Sequence, residues 1–101
     1  MNQGAAPLPE QAETLLTVGV NGNTMLPLYR HGDILLVARD APVKFGDRVV
    51  VESKASGLLG GTLVHHGKDK TVLNRGGHPN REITLQSEDL SFLGRIVWAS
   101  Q

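Results

Sequence analysis

The chain has no cysteine. Disulfide scaffolds, Cys-ligated zinc and cysteine nucleophiles are therefore excluded. Large aromatics are scarce, with one Trp, one Tyr and two Phe, so a core has to be built from Val, Leu and Ile. An excess of either charge is missing too: ten Lys and Arg balance ten Asp and Glu. A duplex-binding domain normally carries a basic excess that displaces phosphate counterions. The chain is thus not expected to bind DNA by itself. Balanced charge does little to hold copies apart and is compatible with self-association. No apolar run approaches the ~18–20 residues of a membrane span. The N-terminus lacks a charged-then-apolar signal pattern. These absences predict a soluble, cytoplasmic protein with no membrane partner. A length of 101 residues leaves room for one domain.

Residues 1–13 are small, polar and Pro-containing and read as a flexible arm or linker, leaving 14–101 as the domain. Short runs rich in β-branched and aliphatic residues follow. They are Thr14–Val20, Ile34–Arg39, Asp47–Ser53, Thr62–His66, Thr71–Asn74, Ile83–Gln86 and Leu93–Ala99. Turn signals separate nearly all of them, among them Asn21-Gly22-Asn23, His31-Gly32-Asp33 and Phe45-Gly46-Asp47. No window of helical length keeps an apolar stripe without a Gly or Pro interrupting it. One helical turn fits, around Met25–Arg30. The pattern predicts a mostly β domain of about seven short strands. Ile34–Val37 and Val49–Val51 are continuous rather than alternating, which predicts strands covered on both faces. Ser53–Gly61 reads as a flexible hairpin loop carrying Leu58 and Leu59. The Gly32-Asp33 and Gly46-Asp47 pairs, fourteen residues apart, read as two similar turns.

The string VNGNTMLPLYRHGDILLV resembles the G-[DN]-S-M-x-P-x-x-x-x-G-D signature of LexA-like peptidase domains. These form the C-terminal half of LexA and of many phage repressors and are related to signal peptidase. FGDRVVVES is similar to the family's second G-D strand, and GGTLVHHG falls where the family has G-x-x-x-V-K-R. LNRGGHPNREI and FLGRIVW resemble its closing segments. The resemblance spans roughly residues 16–99, with the segments in the family's order. It implies a folded-over sheet or partial barrel with a peptide-binding cleft, and homodimerisation, often through C-terminal segments. In active members a Ser attacks a peptide carbonyl and a neutral Lys is the general base. The bond cut commonly lies in the protein's own linker, separating a helix-turn-helix half from the dimerising half.

Both members of that dyad differ here. Thr24 stands at the nucleophile position and His65 at the base position. Thr keeps a hydroxyl, but its extra methyl restricts χ1 and crowds the attacking oxygen. An imidazole can act as base at neutral pH, but it is shorter than a Lys side chain. The usual Ala-Gly cleavage dipeptide is absent; Gly4-Ala5-Ala6 has the reverse order. The chain therefore reads as a non-catalytic LexA-like domain. Its expected role is dimerisation or peptide-binding regulation in a phage-repressor-type transcription regulator. DNA would be reached only through a separate helix-turn-helix domain, and a peptide or linker segment would occupy the cleft. The alternative is a serine-protease-like, self-cleaving peptidase with Thr24 as nucleophile and His65 as base. In either case the resemblance puts the backbone N–H groups of Thr24 and Met25 at the oxyanion hole. The plain structural readings are a turn residue for Thr24, core packing for Met25 and a hydrogen-bonded strand residue for His65.

No cofactor motif is present, since Gly60-Gly61 lacks the Lys-Ser/Thr and helix of a phosphate loop. His65, His66 and His78 do not form a metal set, because neighbours on a strand face opposite ways. Arg75, Arg81 and Arg95 would need to converge to hold an anion. In the last strand, alternation puts Gly94, Ile96 and Trp98 on one face and Leu93, Arg95 and Val97 on the other. Trp98, with Phe92, is the candidate dimer anchor; the alternative for Trp98 is a cap on the core.

Overall fold

The computed structural model describes residues 15–23, 25–39, 41–76 and 81–100. The proposed arm, residues 1–13, lies outside them. Seven strands form one antiparallel sheet: β1 (Leu15–Gly19), β2 (Ile34–Ala38), β3 (Arg48–Ser53), β4 (Gly57–His66), β5 (Lys70–Asn74), β6 (Glu82–Gln86) and β7 (Leu90–Ala99). Their order is β1-β2-β7-β3-β4-β5-β6, with β1 and β6 as edges. The sheet is folded over without closing into a barrel. A single 3-10 turn, Ser87–Asp89, carries the chain from edge β6 back to β7. It advances about 6 Å, whereas four strand spacings in a flat sheet are about 19 Å. Only a strongly curled sheet brings those strand ends together, and Lys54 N–H closes the seam on Asp89 O at 3.0 Å. No helix of the described residues is long and apolar enough to cross a membrane.

Because the sheet folds over, both of its faces are buried in part. One face carries Leu35, Val37 and Val50, covered by Val20, Met25 and Tyr29 of the segment after β1. The other carries Val49, Val51, Leu59, Leu63 and Leu73. Val49–Val51 is thus covered on both sides, as continuous apolar runs suggest. Ile34–Val37 is not. Leu35 and Val37 are buried, Leu36 is half-buried and Ile34 is 45% exposed. Among the described residues only β1 lies beyond β2 at this end of the sheet, and burial of the outer face falls from Ala38, at 0% exposure, through Leu36 to Ile34.

The expected hairpin loop Ser53–Gly61 shrinks to Lys54–Ser56, because β4 already starts at Gly57. Gly60 and Gly61 are strand residues with bare backbone under close neighbours. A Cβ on Gly60 would lie 2.7 Å from Met25 Cε, and one on Gly61 would lie 3.0 Å from Asn74 O. Leu59 is buried on one face, and Leu58 packs against the cluster on the other.

The two Gly-Asp turns are built alike. Arg30 N–H donates to Asp33 Oδ2 at 2.9 Å, and Lys44 N–H to Asp47 Oδ2 at 3.0 Å. Asp33 N–H and Asp47 N–H return bonds to Arg30 O and Lys44 O, both at 3.0 Å. Gly32 and Gly46 take φ of 96° and 94°, where a side chain would be strained. Desolvation pushes the Asp47 carboxyl up, but the Lys44 amide and ammonium outweigh it and hold it below the ordinary carboxylate range. That stabilisation is present above the free carboxyl's titration and is lost as pH falls through the lowered folded value.

β7 carries the least expected feature. Val37 pairs with Ile96 but Leu36 pairs with Trp98, so Val97 is the extra residue of a bulge. The bulge reverses the alternation. Ile96 and Ala99 stay on the Met25 face, while Trp98 joins Leu36 on the opposite face and is 53% exposed. Strict alternation would have put Trp98 with Ile96. Phe92, before the bulge, packs on the Met25 face. Trp98 and Phe92 therefore stand on opposite faces. Gly94 fits beneath Val37 and Phe92, where a Cβ would collide with Val37 Cγ1. Gly94→Ala is expected to cost about 1–3 kcal/mol by overpacking, read as a lower urea midpoint at unchanged slope.

Candidate functional site

The segment from Val20 to Asp33 is a closed loop on the sheet. Val20 N–H donates to Asp33 O at 2.8 Å, and Gly32 N–H to Val20 O at 2.9 Å. Inside it, Leu26 N–H bonds Asn23 O, and Tyr29 N–H bonds Met25 O at 3.0 Å, giving the single helical turn expected there. Gly22 N–H donates to His31 Nδ1 at 3.0 Å, tying the two arms of the loop. Met25 and Tyr29 are 1% and 3% exposed. Both reach the bare backbone of Gly60 on β4. The Met25 side chain is thus packed in the core.

Four further residues hold the loop in place. Arg48 Nη1 donates to Tyr29 OH at 3.4 Å, and Arg75 Nη2 to Leu26 O at 3.3 Å. Gly76, at φ 79°, leaves space for Leu28 and Pro27, and its N–H bonds Asn74 Oδ1 at 2.8 Å. Composition and motif gave no signal for Arg48 or Tyr29 as partners, because their meeting depends on how β3 lies under the loop. Arg75 lies next to Arg81; burial first, and then the Arg81 charge, lower the Arg75 guanidinium below its ordinary value. Arg95 instead reaches Pro42 O at 3.5 Å on another part of the surface. Two of the three arginines converge and the third does not.

Thr24 lies outside the described residues, and so does His78. His65 shares the face of Gly60, since it pairs with Val72 while Leu63 pairs with Leu73. It lies five residues beyond Gly60, up to ~16 Å of extended strand, with a bulge at Val64 between. His65 is exposed. His66 points to the opposite face and binds Thr71 Oγ1 through Nδ1 at 2.8 Å. Thr71 is fully buried and meets Ser87 Oγ at 2.9 Å, and Ser87 Oγ donates to Gly67 O at 2.8 Å. Opposite faces keep the adjacent imidazoles from sharing an ion. Among the described residues no group of three or more His, Asp or Glu is placed to hold a metal.

An open groove of about 330 Å³ lies on the same face as the loop. Leu16 and Val18 of edge strand β1 form one wall, Leu58 and Glu52 the other, and Phe92 and Ser91 the floor, with Arg39 at one side. Ser91 Oγ bonds Glu52 Oε1 at 3.1 Å. Leu58 and Gly60 are alternate residues of one strand, about 7 Å apart. The groove therefore runs toward the seat of Met25.

A folded-over antiparallel sheet, a loop carrying N-G-N-T-M-x-P and a groove beside β1, an edge strand among the described residues, together point to a LexA-type domain. A family model described as Peptidase S24-like matches residues 3–97. The chain belongs to the Peptidase S24-like family, within the LexA and signal-peptidase superfamily. No curated protein and no solved structure matches it.

If the glycine at position 60 exists to seat Met25, the two positions are coupled. Gly60→Ala is expected to cost about 1–3 kcal/mol, and less in a Met25→Ala background. A double-mutant cycle by urea unfolding measures the coupling, and strict additivity would refute it.

Proposed function

We propose that this chain is a non-catalytic S24-like domain that dimerises and holds an extended peptide or linker segment. Its context would be a phage-repressor-type transcription regulator in the cytoplasm. The observation that carries this reading is the seat of Met25. The loop that bears Thr24 is anchored over Gly60, while His65 lies five residues farther along β4 beyond a bulge. The residues that reach the loop from the sheet are Arg48 and Arg75. A guanidinium stays protonated and does not serve as a general base. A nucleophile–base pair needs hydrogen-bond reach, and the separation of His65 from the Met25 seat along β4 favours a role without chemistry.

Two surfaces support the binding role. The groove beside β1 offers apolar walls, and β1, an edge strand among the described residues, offers main-chain groups for an added strand. On the opposite face, Leu15, Ile34, Val97 and Trp98 leave an exposed apolar band. Trp is enriched among interface hot spots, and a two-fold pair of such faces would bury the band. A separate helix-turn-helix domain would supply the operator contacts, with the dimer setting half-site spacing.

The pure protein incubated from pH 6 to 10 is expected to remain one intact band by mass spectrometry, as is Thr24→Ala. Fragments that disappear in Thr24→Ala would instead establish a peptidase with Thr24 as nucleophile, and their loss in His65→Ala as well would assign His65 as its base. Sedimentation equilibrium at micromolar concentration is expected to show a dimer that Trp98→Glu converts to monomer. A wild-type monomer there would refute the dimerisation role.

A further inference from the structure

We propose that His31 is a pH-sensitive latch that holds the turn preceding Thr24. The geometry has one proton assignment. Gly22 N–H can only donate, so the His31 Nδ1 it meets at 3.0 Å must carry a lone pair. The ring is then neutral, with its proton on Nε2. An imidazolium carries N–H on both nitrogens. Protonation therefore replaces the acceptor with a second donor aimed at the Gly22 amide, and the bond is lost.

His66 shows that this demand is particular to His31. Ser87 gives its one hydroxyl proton to Gly67 O. Thr71 must then donate to Ser87, and the Thr71 oxygen accepts from His66 Nδ1–H. His66 is a donor at that nitrogen, so protonating its Nε2 leaves the chain of bonds whole. One imidazole tolerates acid and the other does not.

The charged groups near His31 are few. Its own turn supplies Arg30 and Asp33, and the Asp33 carboxylate is engaged by Arg30 N–H. The flanking strands β1 (LLTVG) and β2 (ILLVA) carry no ionisable side chain. Arg48 and Arg75 approach the other side of the loop, at Tyr29 and Leu26. His31, Asn21, Gly22 and Asn23 are all exposed, so a proton reaches the ring without unfolding. Opening would be local. Gly32 N–H and Val20 N–H keep the loop closed at its base, and Met25 and Tyr29 stay buried. What is released is the Gly22 amide in the short arm that leads into Thr24, while Leu26 N–H still holds Asn23 O. The regulatory meaning of the latch rests on the proposed peptide-binding role of this face, which would be tighter near neutral pH than in acid.

The test is amide NMR of the full chain from pH 8 to pH 5, for wild type, His31→Asn and His31→Ala. Asn places an oxygen acceptor near the position of Nδ1 but does not titrate. In wild type the Gly22 amide shift is expected to follow the His31 ring with one midpoint. Its protection, relative to an unstructured chain at the same pH, is expected to fall about fivefold. His31→Asn should keep Gly22 protected at both ends of the range, and His31→Ala should leave it unprotected throughout. In wild type the Thr71 and Ser87 amides should not follow the His31 midpoint. Gly22 protection that is constant across the His31 titration, or the same acid step in His31→Asn, would overturn the latch. The readout needs no ligand, so it judges the latch whether or not the groove binds a peptide.

Discussion

The loop that distinguishes this domain can dock only because β4 has no side chain at position 60. Met25 and Tyr29 both lie over that bare backbone, and a methyl there would meet Met25 Cε at 2.7 Å. On the next residue the same economy lets β5 close against the other face, where Asn74 O would lie 3.0 Å from a Cβ. Two adjacent glycines inside a strand weaken its intrinsic preference. Here that weakness is offset by apolar burial on both faces, with Met25, Leu59, Leu63 and Leu73 all nearly excluded from water. The sheet is held by what packs on either side of its thinnest strand.

The second organising feature is the bulge. A regular strand commits every side chain to a face by parity, and one extra residue inverts that commitment for everything beyond it. At Val97 this moves Trp98 from the core side to solvent. At Val64 it separates the histidines from the register of Leu63, leaving His65 exposed and His66 bonded to a buried threonine. The apolar band with Trp98 and the groove with Phe92 thus occupy opposite faces. The proposed dimer face and the proposed peptide groove therefore do not compete for one side of the sheet.

Hydrogen-bond direction separates histidines that composition treats as equivalent. His31 accepts from a backbone amide, and His66 donates into a hydroxyl chain that ends on a carbonyl. The same ring chemistry gives a contact that needs a neutral imidazole in one place and one indifferent to charge in the other. Neither role follows from neighbours in sequence, since the partners are nine and five residues away.

Much of the architecture was legible in the residues. Valine-rich runs between Gly-Asp and Asn-Gly turns determine strands, and both Gly-Asp turns take one geometry because Gly reaches positive φ and Asp bonds the amide three residues back. The N-G-N-T-M-x-P loop and the ordered segments after it identify the family. Local chemistry is enough for these, because each depends on residues a few positions apart. The rest required the fold. Gly60 and Gly61 looked like a flexible loop until Met25 and Asn74 were seen to need their missing side chains. The outer face of β2 looked buried along its length, but it is covered at Ala38 and exposed at Ile34. Trp98 changed faces through a bulge that no local pattern announces. In each case the deciding contact joins residues far apart in the chain, and only the curled sheet brings them together.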